Sequence, residues 1–143
     1  MRAKSIKVIF DTNVWISFLI GKRLSIIKHY ISNEKITIVT TDQLLYELKE
    51  VTGRERMKKY FPGESVSELL SLLEIITEKV AIKPIYFINR DPKDNFLLDL
   101  IDISKADYLV TGDKDLLEHN PFKSAMILTP INFEKALKEI LKA

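Results

Sequence analysis

The sequence contains no cysteine and only two histidines among its 143 residues. The absence of cysteine excludes disulfide bonds, a thiolate nucleophile and a Cys-ligated zinc site. It also suits a reducing cytoplasm, which is where we expect the protein to act. Neither His29 nor His119 falls in a motif, so a site built on imidazole chemistry is not indicated.

Long apolar runs are absent as well. The run Ile6–Phe10 is too short for the core of a signal peptide. No stretch approaches the roughly 18 apolar residues of a membrane-spanning helix, so we expect no membrane role. Internal repeats, low-complexity tracts and Gly/Ser-rich linkers are also missing, and the length is that of one ordinary domain. We therefore predict a single domain over residues 1–143.

The composition is that of a globular protein, with 46% hydrophobic and 29% charged residues. The formal net charge of +2 neither demands nor excludes a polyanionic partner. If several carboxylates gather in one cleft, the rest of the surface is more basic than this total indicates.

Short β-rich runs alternate with longer amphipathic stretches, a pattern typical of βα units on a parallel sheet. The predicted strands cover residues 7–10, 36–40, 80–82, 108–111 and 126–128. The predicted helices cover residues 14–20, 24–32, 42–51, 54–60, 65–78, 92–105 and 132–141. This order predicts an α/β fold, a three-layer α/β/α sandwich with a mainly parallel central sheet.

Acidic side chains recur where the predicted strands end or the following helices begin. Asp11 directly follows the first strand, and Asp113 follows the strand that ends at Thr111. Glu47 lies within two turns of the start of one helix, and Asp94 lies in the first turn of another. Because ligands bind at the carboxyl ends of strands in open parallel sheets, we expect all four carboxylates near one rim.

Carboxylates that lie close together raise one another's pKa values unless a cation joins them. A donor set of oxygens, without histidine or cysteine, suits Mg²⁺ or Mn²⁺. One or two such ions would activate a water molecule and stabilise the attacking and leaving oxygens of phosphodiester cleavage. The pattern therefore indicates a site for a hard divalent cation, whose chemistry would suit phosphodiester cleavage.

Each acidic residue also has an ordinary structural explanation. Asp11 and Asp113 occupy positions where helix caps and turns are common. Asp91 would cap the helix that begins near residue 92, and Asp94 would lie at its positive dipole end. Glu47 would most often belong to a solvated helix face. Single residues are weak signals, so the prediction depends on their conjunction.

These acidic residues lie in segments that resemble, in order, the motifs of the PIN-domain family. The segments are Phe10-Asp11-Thr12-Asn13-Val14, residues 41–47, residues 90–95, and residues 106–115 with their Thr-Gly-Asp-Lys-Asp ending. The resemblance covers nearly the whole chain. It is closest to bacterial and archaeal members described as toxins of toxin–antitoxin pairs, relatives of the VapC-type toxins.

The resemblance implies a PIN fold and Mg²⁺- or Mn²⁺-dependent endoribonuclease activity on single-stranded RNA. The residues that match the family's core acidic positions, implied to be catalytic and metal-ligating, are Asp11, Glu47, Asp94 and Asp113. Asp115 matches a further ligand position, and Asn13 and Thr111 match polar positions that support the acidic ones. An antitoxin protein and a second copy of the chain, in a homodimer, are the implied protein partners.

The densest basic stretch lies beside the helix that carries Glu47. Its members are Lys49, Arg54, Arg56, Lys58 and Lys59. It could bind an RNA backbone electrostatically, and a solvated helix face explains it equally well. Trp15 follows the first motif and is expected in the core.

Two other enzyme classes and one non-enzyme class compete with this interpretation. Phosphatases with a nucleophilic Asp usually carry an acid/base Asp two residues later, where this chain has Asn13. A topoisomerase-primase-like site could use Asp113 and Asp115, but it leaves Asp11 unexplained. A catalytically silent module that binds RNA is the third alternative, and the acidic residues at all four motif positions argue against it.

Overall fold

The computed structural model describes residues 5–20, 35–59 and 63–142. The helix predicted over residues 24–32, and His29 within it, lie outside these ranges. Among the described residues, none of the helices is long and apolar enough to cross a membrane.

The described strands form one five-stranded sheet in the order β3-β2-β1-β4-β5. They are β1 Ile6–Phe10, β2 Ile36–Thr40, β3 Thr77–Lys79, β4 Tyr108–Val110 and β5 Met126–Leu128. Every neighbouring pair is parallel, and β1 pairs with both β2 and β4. The strand β1 is fully covered at Val8 and Ile9, as expected of a central strand in a parallel sheet.

Helices flank the sheet because parallel strands can be joined only by crossover connections. They are α1 Thr12–Ile20, α2 Asp42–Thr52, α3 Gly63–Ile76, α4 Asn95–Ser104, α5 Lys114–Leu117 and α6 Pro130–Lys142. Short 3₁₀ turns occupy Glu55–Met57 and Pro92–Asp94. The predicted α/β/α fold with a parallel central sheet is confirmed.

An aromatic cluster fixes the end of β1 against two helices. The ring of Phe10 packs edge-on against Trp15 of α1 at 5.3 Å and against Phe133 of α6 at 5.8 Å between centroids. Trp15 is buried, which confirms its predicted place in the core. Because Phe10 immediately precedes Asp11, this packing also determines where the first acidic side chain emerges from the sheet.

The strand predicted over residues 80–82 is wrong, since β3 lies at Thr77–Lys79 and the preceding helix ends at Ile76. The hydroxyl of Thr77 donates to the carbonyl of Leu73, one turn back in the helix. The polar Thr-Glu-Lys composition does not look like a strand, yet charged residues are common on edge strands, and β3 is an edge. The apolar run that follows it suggested the wrong position.

The helix predicted over residues 54–60 is also shorter than expected. Over residues 54–59, which the structure describes, there is only the 3₁₀ turn Glu55–Met57, with an ion pair at 3.0 Å between Lys58 and Glu55. The helix predicted to start at residue 92 begins as a 3₁₀ turn. It ends before Lys105, whose φ of 59° gives a left-handed C-cap.

Candidate acidic active site

Asp11 is held at the end of β1 by backbone hydrogen bonds on both sides. Its N–H donates to the carbonyl of Val110 at 3.0 Å, and this bond extends the pairing of β1 with β4. Its carbonyl accepts from the N–H groups of Val14 and Trp15, which start α1. The side chain is only 8% exposed. The residue therefore begins a helix and presents a carboxylate in a fixed position.

The Asp11 carboxylate is oriented by Thr111, whose hydroxyl donates to Oδ2 at 2.7 Å. Burial is the largest cause that raises the pKa of Asp11, and the charge of Asp113 raises it further. Hydrogen bonds from Thr111 and from the backbone N–H groups of Thr12 and Asn13 oppose this rise. The side chain of Asn13 is exposed, so in this structure its contribution to Asp11 comes from its backbone.

Glu47 lies on α2 and faces α1 rather than open solvent. The hydroxyl of Thr12 donates to its Oε2 at 3.3 Å. Partial burial is the main cause that raises the pKa of Glu47; Asp11 raises it as well, and the charge of Lys93 lowers it. Glu47 is therefore close enough to Asp11 for the two carboxylates to repel each other.

Asp94 lies in the 3₁₀ turn that precedes α4. Asp91 caps this turn, because its Oδ1 accepts from the N–H of Lys93 at 3.3 Å, as its sequence position predicted. The carboxyl of Asp94 is hydrogen-bonded to that of Asp113. Burial, this hydrogen bond and the charges of Asp11 and Asp113 raise the pKa of Asp94 from 3.8 to about 7. The neighbouring carboxylates and the partial burial therefore favour the neutral form of Asp94.

Asp113 belongs to the same group and lies in the loop between β4 and α5. Its N–H donates to the hydroxyl oxygen of Thr111 at 3.1 Å, so this one hydroxyl links Asp113 to Asp11. Its carboxylate caps α5 by accepting from the N–H of Asp115 at 2.9 Å. The structural role predicted for Asp113 and its place among the acidic side chains are therefore compatible.

Asp115, predicted as a further metal ligand, lies against a cation. Its Oδ1 is 3.4 Å from the Nη1 of Arg90, and the other Nη of Arg90 is 3.1 Å from Glu118. Arg90 thus joins the segment before Asp91 to α5. Asp115 thus has a cationic partner in this structure, and its role as a metal ligand stays a prediction.

The structure adds residues that the sequence patterns did not single out. Thr12 orients Glu47, and a polar network joins the chain before Asp91 to the end of α5. In that network the Nε2 of His119 lies 3.1 Å from the side-chain oxygen of Asn89, whose N–H donates to Asn95 at 2.9 Å. Asn95 directly follows Asp94, but no local pattern indicates that its side chain turns inward.

Asp99 and Asp102 lie on α4, and the side chain of Asp99 turns inward although it is charged. Asp99 is 3% exposed, and its Oδ1 accepts the N–H groups of Ile85 and Tyr86 at 2.9 and 2.8 Å. Asp102 accepts from the Tyr86 hydroxyl at 2.8 Å, which lowers its pKa. These two carboxylates therefore attach residues 85 and 86, which lie outside the sheet, to α4.

In the predicted RNA-binding stretch, the side chains of Lys49, Arg54, Lys58 and Lys59 are exposed. The side chain of Arg56 lies outside the described part of the structure. Exposure is required for RNA contact and is equally expected of a solvated surface, so the RNA-binding role of this stretch stays a prediction.

The chemistry of the acidic group fits Mg²⁺ or Mn²⁺, because its donors are carboxylate oxygens that repel one another. Within the described residues, no three Asp, Glu or His side chains stand as close together as the ligands of one bound ion. Small side-chain movements toward a shared cation are therefore part of any metal-bound arrangement. The residues that would hold the ion are Asp11, Glu47, Asp94 and Asp113.

A parallel α/β/α sandwich with acidic side chains at its carboxyl rim defines the class of protein. A model of the PIN domain matches residues 7–115, and the chain belongs to the PIN-domain family. It is similar, at 32% identity over 124 residues, to "Uncharacterized protein MJ1680" of Methanocaldococcus jannaschii, with 82% of this chain and 77% of that protein covered. PIN domains are generally metal-dependent nucleases, so family membership indicates a nuclease of this superfamily.

A solved structure agrees at the level of the fold. The crystal structure of PAE2754 from Pyrobaculum aerophilum superposes with a TM-score of 0.56 over 98% of this chain and 100% of that chain. The sequence identity is 16%, so the likeness supports the fold alone.

Proposed function

We propose that this protein is an Mg²⁺- or Mn²⁺-dependent endoribonuclease that cleaves single-stranded RNA. The observation that carries the proposal is the convergence of Asp11, Glu47, Asp94 and Asp113 from four separate parts of the chain. The hydroxyl of Thr111 joins Asp11 to Asp113, the hydroxyl of Thr12 bonds Glu47, and Asp94 interacts with Asp113. Such a group of carboxylates destabilises the fold unless a cation or a proton joins it. Its retention at the rim of the sheet therefore favours a metal-binding role.

Within this proposal, each supporting residue has a defined task. Bound cations would lower the pKa of a water molecule and neutralise charge on the phosphate. Thr111 and Thr12 hold the carboxylates of Asp11 and Glu47 in orientation. Because the pKa of Asp94 is about 7, protons compete with cations for this ligand, and cation affinity rises with pH.

The decisive experiment measures cleavage of a labelled single-stranded RNA with Mn²⁺, Mg²⁺ or EDTA. We expect cutting by the wild type only with metal, and its loss in Asp11→Asn and Asp94→Asn. Asp107→Asn is the matched control, because its carboxylate accepts from the N–H of Lys7 at the opposite end of the strands. Retained turnover in Asp94→Asn would remove that residue from the site. RNA binding in EDTA without cleavage under any condition would indicate a silent binding module.

We further propose that the nuclease is the toxin of a type II toxin–antitoxin pair, acting in the cytoplasm as a homodimer. This proposal is supported by the resemblance of its motifs to those of VapC-type proteins. The antitoxin would be a separate small protein that covers the acidic cleft. Expression of the wild type should slow growth and expression of Asp94→Asn should not. Unimpaired growth of every suitable host that produces active enzyme would refute the toxin role.

A further inference from the structure

The acidic residues at the rim of the sheet disfavour the approach of a negatively charged substrate such as RNA. Their carboxylates repel the phosphates that must approach them, and metal ions offset only part of that charge. Cationic side chains of the protein are needed beside the cleaved bond. Arg90 and Lys93 lie on either side of Asp91, next to the turn that carries Asp94.

Arg90 is already engaged by two carboxylates. Its guanidinium lies 3.4 Å from Asp115 and 3.1 Å from Glu118, both near α5. These contacts fasten one segment of the chain to another. Moving Arg90 to a phosphate would leave both acidic partners without their cation.

Lys93 is placed differently. Its side chain is 77% exposed, and its Nζ is 3.7 Å from Oδ2 of Asp91, beyond hydrogen-bond distance. Lys93 lies in the same 3₁₀ turn as Asp94 and directly precedes it, and its charge lowers the pKa of Glu47. Exposed ion pairs of this kind contribute little to stability. Lys93 can therefore exchange Asp91 for another anion without disturbing the fold.

The backbone beneath Lys93 is fixed even though its side chain is free to move. The N–H of Lys93 donates to Oδ1 of Asp91, and Pro92 restricts the same turn. The backbone of the turn therefore fixes where the Lys93 side chain starts relative to Asp94, the next residue. The ammonium group can then move only as far as its four-carbon stem allows. A compact ammonium group with three donors on such a stem binds phosphate as a point charge.

We propose that Lys93 binds an internucleotide phosphate of the RNA adjacent to the one that is cleaved, which makes it a substrate-positioning residue. The inference rests on the proposed ribonuclease function. It assigns to Lys93 a contact that is independent of RNA sequence, because phosphates carry no base information.

The test compares Lys93→Ala, Lys93→Arg and Lys138→Ala in steady-state RNA cleavage with Mn²⁺ at several salt concentrations. Lys138 is an exposed lysine on α6. It lies about two turns after the start of that helix, away from the acidic rim. For Lys93→Ala we expect a KM increase of about three- to tenfold at low salt with a nearly unchanged kcat. The logarithmic salt dependence of kcat/KM should weaken by about 0.7, the value for one phosphate of a single strand. Lys93→Arg should restore most of the loss.

Two outcomes would overturn the inference. Lys93→Ala could match Lys138→Ala in KM and salt dependence, which would mean that no phosphate is bound. It could instead lower kcat and shift the pH profile with an unchanged KM, which would mean that Lys93 acts only on the charge of Glu47. Failure of the wild type to cut or bind any RNA is a different result, because it refutes the proposed function itself.

Discussion

Replacing Asp94 by asparagine should stabilise the protein when no metal is present. Asp94 lies among the charges of Asp11, Asp113 and Asp91, and its pKa rises to about 7 from 3.8. The folded state therefore holds a proton that the unfolded chain releases, and stability falls as pH rises from about 4 to 7. Asparagine keeps the size of the side chain and can still donate to Asp113, but it carries no charge at any pH.

The magnitude follows from the pKa. Ionising a carboxyl whose pKa has risen from 3.8 to about 7 costs at most roughly 4 kcal/mol above that pH. Asp94 is partly exposed, and solvent screening reduces this figure to about 1–2 kcal/mol. For a chain of 143 residues the melting temperature of Asp94→Asn should then rise by about 3–6 °C at pH 7.5.

The assay is thermal unfolding in EDTA at pH 7.5 and pH 4, with Asp107→Asn as the control. The gain should be present at pH 7.5 and should largely disappear at pH 4, where Asp94 of the folded wild type is protonated and carries no charge, as asparagine does. With Mn²⁺ at about a hundred times its Kd, the unfolding free energy of the wild type should rise by about 2.7 kcal/mol. The wild type should then melt at a higher temperature than Asp94→Asn. An equal or lower melting temperature for the variant in EDTA at pH 7.5 would refute the clustering of these carboxylates.

Two further predictions concern Thr111, which lies within the acidic site, and Asp99, which is buried on α4. Thr111→Val removes the donor to Asp11 and leaves the N–H of Asp113 without its acceptor. It should cost about 1–3 kcal/mol of unfolding free energy and move the acidic limb of the kcat/KM profile to higher pH; an unmoved limb would contradict the role of Thr111. Asp99→Ala should cost about 2–3 kcal/mol, since two backbone N–H groups lose their acceptor. Asp99→Asn should cost less in the same unfolding measurement, and an unchanged melting temperature for Asp99→Ala would contradict the structure.

The sequence alone predicted the parallel α/β architecture and the placement of acidic residues at strand ends. Both depend on local patterns: β-rich runs alternate with amphipathic stretches, and the residue after a strand lies at the rim of the sheet. The cap at Asp91 and the core position of Trp15 were also predicted from local patterns. Errors at β3 came from the same source, because Thr77–Lys79 has the composition of an exposed turn.

Only the tertiary structure decided which side chains act on one another. Thr111 and Asp11 are 100 residues apart, yet one hydroxyl joins Asp11 to Asp113. Asp115 lies two residues after Asp113 but pairs with Arg90, which comes from another part of the chain. Asp99 is buried where it accepts the N–H groups of Ile85 and Tyr86, which lie in a segment outside the sheet. Periodicity specifies the face on which a residue lies, whereas its partner depends on the elements that the fold packs against that face.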